Sequence, residues 1–174
     1  MRARVAVSIA VALLVSGCTN AVPGTAQPDP RRVTVAPRAS TDPCSLLTSD
    51  EAVQLGLAAP GMPQPEDKTA LVPPSCEWNS TDPESEQDNS LQVYYATDLN
   101  VREYFSDAPT AQEQLGGVTW DNYPSVLGAS LCNLAVTLSD RSFIALTSPN
   151  FGDPTHSCDT ARKAAPLVAK RIPG

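Results

Sequence analysis

Residues 131–147 read LCNLAVTLSDRSFIALT, and the pattern in this stretch decides the fold class. Apolar side chains occupy every second position of its first half: Cys132, Leu134, Val136 and Leu138. A period of two is typical of a β-strand with one buried face. Asp140-Arg141 then makes a tight connection into a second apolar run, residues 142–147. The stretch therefore predicts a β-hairpin, and with it antiparallel pairing.

The end of the chain predicts a helix over residues 157–172. Its apolar residues recur at spacings of three and four: Cys158, Ala161, Ala165, Val168 and Ile172. These spacings place them on one helical face, which we expect to pack on the sheet. Lys170 and Arg171 lie in the last turn, where they complement the helix dipole. Pro166 should kink this helix, because it removes a backbone hydrogen bond.

The start of the domain predicts one helix or two short helical turns over residues 43–55. Asp42 is suited to cap the first turn, and Thr48 and Glu51 have the spacing of a capping box. Gly56 is suited to end the segment, because glycine adopts the left-handed conformation at low cost.

The middle of the chain predicts further strands and one more helix. Strands are expected over residues 75–80 and 91–96 and around Val118 and Trp120, with a long proline-rich loop over residues 58–74. A helix capped by Asp98 or Asn100 should break near Pro109, resume to Leu115 and end at Gly116-Gly117.

The expected order of elements is α-β-β-α-β-β-β-α. Short connections between the strands favour an antiparallel sheet, and the helices would cover its inner face. Residues 42–174 are therefore expected to form a single α+β domain, an antiparallel sheet covered on one face by helices.

Four cysteines in this domain predict two disulfides. Three connectivities are possible, and we expect Cys44–Cys76 and Cys132–Cys158. Cys132 lies on the inward face of its strand and Cys158 in the first turn of the helix that packs there; Cys44 and Cys76 have the same relation. A Cys₄ metal site is disfavoured because no CxxC pair occurs, so neither a metal nor another cofactor is expected.

The N-terminus has the features of a lipoprotein signal peptide. Arg2 and Arg4 precede an apolar run, residues 5–15, that is too short to span a bilayer. The run ends in Val-Ser-Gly-Cys, which resembles a bacterial lipobox. We expect cleavage of residues 1–17 between Gly17 and Cys18 and a diacylglycerol thioether on Cys18. The alternative is an ordinary secretory signal with a chance cysteine.

Residues 18–41 would then be the lipidated cysteine and a disordered tether rich in proline and threonine. Two acyl chains suffice for stable anchoring. The domain would therefore lie at the extracytoplasmic face of the cell membrane, with the membrane as its first partner.

Charge and motifs argue against several functions. The chain has 12 basic and 19 acidic residues and a net charge of −7, which disfavours a nucleic-acid partner. His156 is the only histidine, and it reads as a loop or capping residue rather than a catalytic one. No residue is predicted to be catalytic. Trp78, Tyr94 and Trp120 are candidates for a ligand groove, although most large aromatic residues should fill the core.

Several short motifs resemble a known family. They are DPCSLLT at 42–48, LGL at 55–57, CEW at 76–78 and a late cysteine at the start of an alanine-rich final helix. Over about residues 40–173 the chain resembles the actinobacterial lipoproteins of the uncharacterised family DUF3558. The resemblance implies a cell-envelope lipoprotein, supports the cysteine positions and supplies no catalytic residues.

Three functions remain open. The first is a non-catalytic envelope module that binds a protein or a lipid-like ligand. The second is an accessory or sensor subunit of an envelope transport or secretion complex. The third is a hydrolase that uses paired carboxylates, which would require two of them close together and buried in a cleft.

The anchor gives the first testable prediction. Cys18→Ala removes the thiol that would carry the lipid, so the variant should leave the membrane fraction for the soluble fraction. Fractionation of cells followed by immunoblotting measures this. A variant that stays membrane-bound would show that the anchoring argument is wrong.

Overall fold

The computed structural model describes residues 41–83 and 88–172 of the 174-residue chain. The expected signal peptide, the lipidation site at Cys18 and the tether up to residue 40 lie outside the described residues. Among the described helices, none is both long and apolar enough to cross a bilayer.

The described residues form an antiparallel α+β domain, as the sequence predicted. The strands are β1 (Met62–Gln64), β2 (Ser75–Trp78), β3 (Leu91–Ala96), β4 (Ala111–Leu115), β5 (Val118–Tyr123), β6 (Leu131–Ser139) and β7 (Ser142–Pro149). The α-helices are α1 (Ser49–Gln54), α2 (Val101–Phe105) and α3 (Asp159–Ala169). Single 3₁₀ turns occupy Pro43–Leu46, Gly128–Ser130 and Pro154–His156. The strands make one seven-stranded sheet in the order β1-β2-β3-β7-β6-β5-β4.

The predicted hairpin is present as β6 and β7, near the middle of the sheet. Leu134 lies opposite Leu146, and Val136 lies opposite Ile144. These residues define the first face of the sheet. The alternate residues of β7, such as Ala145, define the second face.

The first face carries the larger hydrophobic core. Helix α3 lies over it and buries four small or branched residues completely: Ala161, Ala164, Ala165 and Val168. Alanine side chains allow a close approach of helix and sheet. Pro166 lies inside α3 and does not end it. The 3₁₀ turn Pro43–Leu46 and α1 complete this layer, and the expected capping box of Thr48 and Glu51 is present.

Both predicted disulfides are confirmed. Cys44 is bonded to Cys76 with their Cα atoms 5.0 Å apart, and Cys132 is bonded to Cys158 with theirs 4.9 Å apart. The first bridge ties the opening 3₁₀ turn to β2, and the second ties the start of α3 to β6. Each closes a loop of 26 to 32 residues. By loop entropy, each should contribute roughly 3 to 4 kcal/mol to the free energy of unfolding.

The second face also carries a helix, which the sequence argument had placed on the inner face. Helix α2 packs there on a smaller cluster that includes Phe143 and Ala145. The physical reason is that β3 and β7 are internal strands with apolar side chains on both faces. A single layer of helices cannot cover both faces.

Two elements differ from the sequence prediction. Residues 111–115 form β4 rather than the end of a helix, and Gly116-Gly117 is the two-residue turn of the β4–β5 hairpin. Both glycines have positive φ, +63° and +80°, as a tight hairpin of this length requires. Residues 62–64 also form a short edge strand inside the expected loop. The observed order is therefore α-β-β-β-α-β-β-β-β-α.

This hairpin gives a stability prediction. Gly116 lies against α3, and a Cβ atom added there would come within 2.6 Å of the Pro166 Cα atom. A Cβ atom added to Gly117 would meet nothing within 4 Å. Gly117→Ala should therefore cost only the left-handed strain, about 1 to 2 kcal/mol of unfolding free energy. Gly116→Ala should cost about 1 to 3 kcal/mol more.

Urea unfolding of the two variants measures this difference, with Gly117→Ala as the matched control. Equal losses of stability would show that the β4–β5 turn does not pack against α3.

Candidate functional site

The three candidate groove residues do not come together, so the predicted groove is wrong. Trp78 and Trp120 are 1% and 0% exposed and fill the core on the first face. The Trp120 indole donates a hydrogen bond to the Leu115 carbonyl oxygen at 3.2 Å. Tyr94 lies on the second face, within the smaller cluster. Alternation along the strands separates the three side chains, because Tyr94 follows a core-facing residue, Val93.

An open cavity of about 270 Å³ lies on the second face beside Tyr94. We call it the trough. Its described lining residues are Tyr94, Tyr104, Phe105, Pro124, Ser125, Val126, Leu131, Asn133 and Thr147. The trough forms because α2 covers only the end of the face nearest the β6–β7 turn. The opposite end of the same face is left open between α2 and the loop 124–130.

The floor of the trough is polar. Asn133 lies opposite Thr147, and Thr147 lies opposite Gln92, so the three form a row across β6, β7 and β3. The Thr147 hydroxyl donates to Asn133 Oδ1 at 2.9 Å. Gln92 Nε2 donates to Ser75 Oγ at 2.9 Å, and the Tyr94 hydroxyl donates to Gln92 Oε1 at 2.7 Å. These bonds fix the orientation of the amide and hydroxyl groups along the floor.

One wall of the trough is aromatic. The Tyr104 ring lies 5.5 Å from that of Tyr94 and 4.8 Å from that of Phe105, centroid to centroid. Phe105 stacks on Tyr123 at 4.4 Å. Because α2 has five residues, it is too short to be stable alone, and ring packing holds it to the sheet.

Hydrogen bonds also fasten the start of α2 to the β6–β7 turn. The predicted cap Asn100 forms a capping box with Glu103, and its Nδ2 donates to the Asp140 carbonyl oxygen at 2.7 Å. Arg141 donates to the Asp98 carbonyl oxygen at 2.9 Å. These hydrogen bonds hold the start of α2, and the ring contacts of Tyr104 and Phe105 hold its end.

Burial sets the protonation of the two tyrosines beside the trough. Burial is the main reason that the pKa of Tyr94 lies well above its ordinary value, with smaller contributions from Tyr104 and Glu77. Burial also raises the pKa of Tyr104. Both hydroxyl groups are protonated at neutral pH, so they act as hydrogen-bond donors and not as bases.

A second cavity, of about 400 Å³, lies beside the Cys132–Cys158 bridge. It shares Pro124, Ser125 and Leu131 with the trough, so the loop 124–130 separates the two cavities. Arg162 also lines it but is held by two 2.8 Å hydrogen bonds to Glu113. These bonds keep the pKa of Glu113 below its ordinary value.

Apolar side chains are exposed at this end of the domain. Val126 is fully exposed, and Leu127 and Phe151 are half exposed. The two loops that carry them are joined by a hydrogen bond from the Asn150 backbone N–H to the Ser130 carbonyl oxygen at 2.8 Å.

The described carboxylates do not form a buried pair. The buried polar residues are all neutral: Ser75, Asn133, Ser148, Asn150, Ser157 and Thr160. Glu66 and Asp98 lie within 3.6 and 3.5 Å of the Lys68 ammonium, but both are about half exposed. Within residues 41–83 and 88–172, no group of three His, Cys, Asp or Glu side chains is placed to hold a metal ion.

His156 lies where the sequence placed it, before the last helix. It ends the 3₁₀ turn Pro154–His156 and is exposed, with Nδ1 2.9 Å from Asp159 Oδ2. This hydrogen bond raises the pKa of His156. Asp88 accepts hydrogen bonds from the backbone of Phe151 and Gly152.

Sequence reasoning missed most of the trough. It selected Tyr94 as a groove candidate, but it did not select Tyr104, Asn133 or Thr147. One signal was available: Asn133 is an amide on the alternate face of a strand whose neighbours are apolar. A polar residue on the second face of an internal strand indicates that part of that face is open.

Comparison with protein-family models matched residues 13–171 to the family described as "Protein of unknown function (DUF3558)". No curated protein and no solved structure matched the chain.

The buried hydroxyl of Tyr94 gives a pH prediction. The pKa of Tyr94 is higher in the folded chain than the ordinary value of 10.0. As the pH rises, Tyr94 therefore loses its hydroxyl proton at a lower pH in the unfolded chain than in the folded chain. The stability that this provides is present below about pH 10 and is lost as the pH rises further. Tyr94→Phe should therefore flatten the decline of unfolding free energy between about pH 9 and 11.

Urea unfolding at several pH values tests this, and the slope against pH is the diagnostic quantity. Loss of the hydrogen bond to Gln92 lowers stability by about 1 kcal/mol at every pH, so it shifts the curve without changing its slope. An unchanged slope in the variant would contradict the assignment.

Proposed function

The chain belongs to the DUF3558 family, and from that premise we propose that it is a lipid-anchored envelope protein with a non-catalytic binding domain. The trough is the binding site in this proposal. The anchor is Cys18, and the domain works at the extracytoplasmic face of the membrane.

The anchor rests on the sequence. The basic start, the short apolar run and the Val-Ser-Gly-Cys motif agree with one another. A diacylglyceryl group has two acyl chains, enough to hold a protein at a membrane without a spanning helix. A domain placed this way meets envelope components and membrane neighbours.

The binding role rests on one observation above all: the second face of the sheet is left half covered. An antiparallel sheet often has one solvated face. Here α2 and its buried cluster cover one end of the second face, so the open remainder is a trough bounded by a wall and not a flat solvated surface. Here the uncovered part is polar on its floor and aromatic on its wall, and it opens to solvent. Ligand sites typically combine an aromatic lining with a few convergent polar groups.

A carboxylate hydrolase has less support. It would need a general acid whose pKa is raised by burial close to a second carboxylate. The described carboxylates that share a cation are exposed to water: Glu66 and Asp98 beside Lys68, and Asp153 and Asp159 beside His156. The absence of catalysis remains a prediction.

A second candidate, an accessory subunit of an envelope complex, is favoured by a different surface. Val126, Leu127 and Phe151 are exposed at one end of the domain. Adjacent exposed apolar side chains are typical of surfaces that contact another protein.

Photo-crosslinking in native envelopes separates these proposals. A benzophenone amino acid at position 104 reports on the trough, and one at position 127 reports on the exposed loop. Position 53 is the matched control, because Val53 is apolar and 62% exposed on α1, away from both sites. We expect adducts at position 104, which mass spectrometry of the adduct assigns to a small molecule or a polypeptide.

Adducts at position 127 alone, with a membrane protein, would favour the accessory subunit over ligand binding. Equal adducts at all three positions would show no specific site and would contradict both candidates.

A further inference from the structure

We propose that the trough binds a neutral saccharide chain, one or two sugar rings at a time. This inference rests on the proposed function, because it names the ligand class of the same site. It follows from the charge, the hydrogen-bonding groups and the shape of the trough.

The lining of the trough is uncharged. Of its nine described lining residues, none is Asp, Glu, Lys or Arg, although the chain as a whole carries a net charge of −7. An anionic sugar or a lipid phosphate would find no cation there, and an acidic domain repels it. Cationic ligands would find no carboxylate in the lining. Glu77, farther along the same face, accepts a hydrogen bond from Gln64.

The polar groups of the floor match hydroxyl groups. Asn133 Oδ1 accepts the Thr147 hydroxyl, whereas Asn133 Nδ2 makes no hydrogen bond with any described residue. In the described part of the chain, every buried side-chain nitrogen or oxygen has a partner. Asn133 is 6% exposed, so Nδ2 is the accessible part of the side chain and faces the trough. It offers a donor beside the Thr147 oxygen, which can accept.

A sugar hydroxyl is both a donor and an acceptor, so it can bond to both Asn133 Nδ2 and the Thr147 oxygen.

The aromatic wall complements the apolar face of a sugar ring. The C–H face of a pyranose or furanose ring is apolar and packs on an aromatic ring. Tyr104 is half-buried and lines the trough beside Phe105. Its protonated hydroxyl adds a donor at the same wall. The site thus offers apolar surface and hydrogen-bond groups in the proportions that a neutral sugar needs.

An extended peptide and an acyl chain fit less well. Extended peptides gain affinity by pairing with the free backbone groups of an edge strand. The floor here consists of β3, β7 and β6, which are internal strands with paired neighbours on both sides. An acyl chain requires an apolar channel, whereas Asn133 and Thr147 lie on this floor. The volume, about 270 Å³, is below that of a typical drug-sized pocket.

The test is saturation-transfer NMR and calorimetry on the full lipidated chain in a detergent without a sugar headgroup. The probes are neutral oligosaccharides of three to five gluco-, manno-, galacto- or arabino-residues. The comparison probes are a uronic-acid oligosaccharide and a proline-rich peptide. We expect saturable binding of at least one neutral oligosaccharide and none of the comparison probes.

Two variants locate the site. Asn133→Ala should weaken binding about five- to tenfold, the loss of one neutral hydrogen bond. Asn133 is buried, so its substitution can also lower stability, and Tyr104→Leu is therefore the second variant. Leucine keeps an apolar side chain between α2 and the sheet but removes the aromatic ring. This variant should weaken binding at least as much as Asn133→Ala. Val53→Ala, at an exposed position on α1 away from the trough, is the matched control and should bind like the unmodified chain. Circular dichroism verifies that each variant is folded.

Several results would overturn the proposal: no neutral oligosaccharide binds the folded chain, binding survives Tyr104→Leu unchanged, or the uronic-acid probe or peptide binds instead. The crosslink at position 104 separates this failure from failure of the proposed function. A lipid or polypeptide adduct there would leave a binding module whose ligand is not a saccharide.

Discussion

Strand β7 pairs with β3 on one side and with β6 on the other, and the rest of the domain depends on this pairing. Its residues Phe143, Ile144, Ala145 and Leu146 are all fully buried. Because successive side chains point to opposite faces, this strand has apolar side chains that must be buried on both faces of the sheet. Helices α3 and α1 and the opening 3₁₀ turn bury those on the first face. On the second face, α2 covers one end only.

The two disulfides secure the layer on the first face. Helix α3 contributes mainly alanine side chains, which bury little apolar area each but allow close packing on Leu134 and Leu146. The Cys132–Cys158 bridge holds the start of this helix at the strand, and Cys44–Cys76 does the same for the opening 3₁₀ turn. Crosslinks at these positions offset the small apolar area that the alanine side chains bury, as disulfides do in small domains of modest core.

Incomplete cover of the second face links the fold to the proposed role. The five-residue helix α2 is held by ring packing and by hydrogen bonds to the β6–β7 turn, so it leaves the far end of β6 and β7 open. That end carries Asn133 and Thr147 instead of apolar residues, and it therefore tolerates water. The hydrogen bonds along this row hold its polar groups in fixed orientations beside the aromatic wall. Two acyl chains on Cys18 would keep such a site beside the membrane, among envelope components.

The sequence by itself determined what depends on neighbouring residues. The alternation in residues 131–147 identified the β6–β7 hairpin. The spacing of Thr48 and Glu51 and the capping residue Asn100 identified the starts of two helices. The even number of cysteines, placed on facing sides of strands and helical turns, identified both disulfides. Contacts between distant segments decided the rest. Residues 111–115 became a strand because β5 was there to pair with, and Tyr94 became buried because α2 covers it. The trough required three segments far apart in the chain, namely α2, the loop 124–130 and the floor of β6 and β7. Period and capping signals extend over a few residues, whereas the open part of a sheet face is set by which distant element covers it.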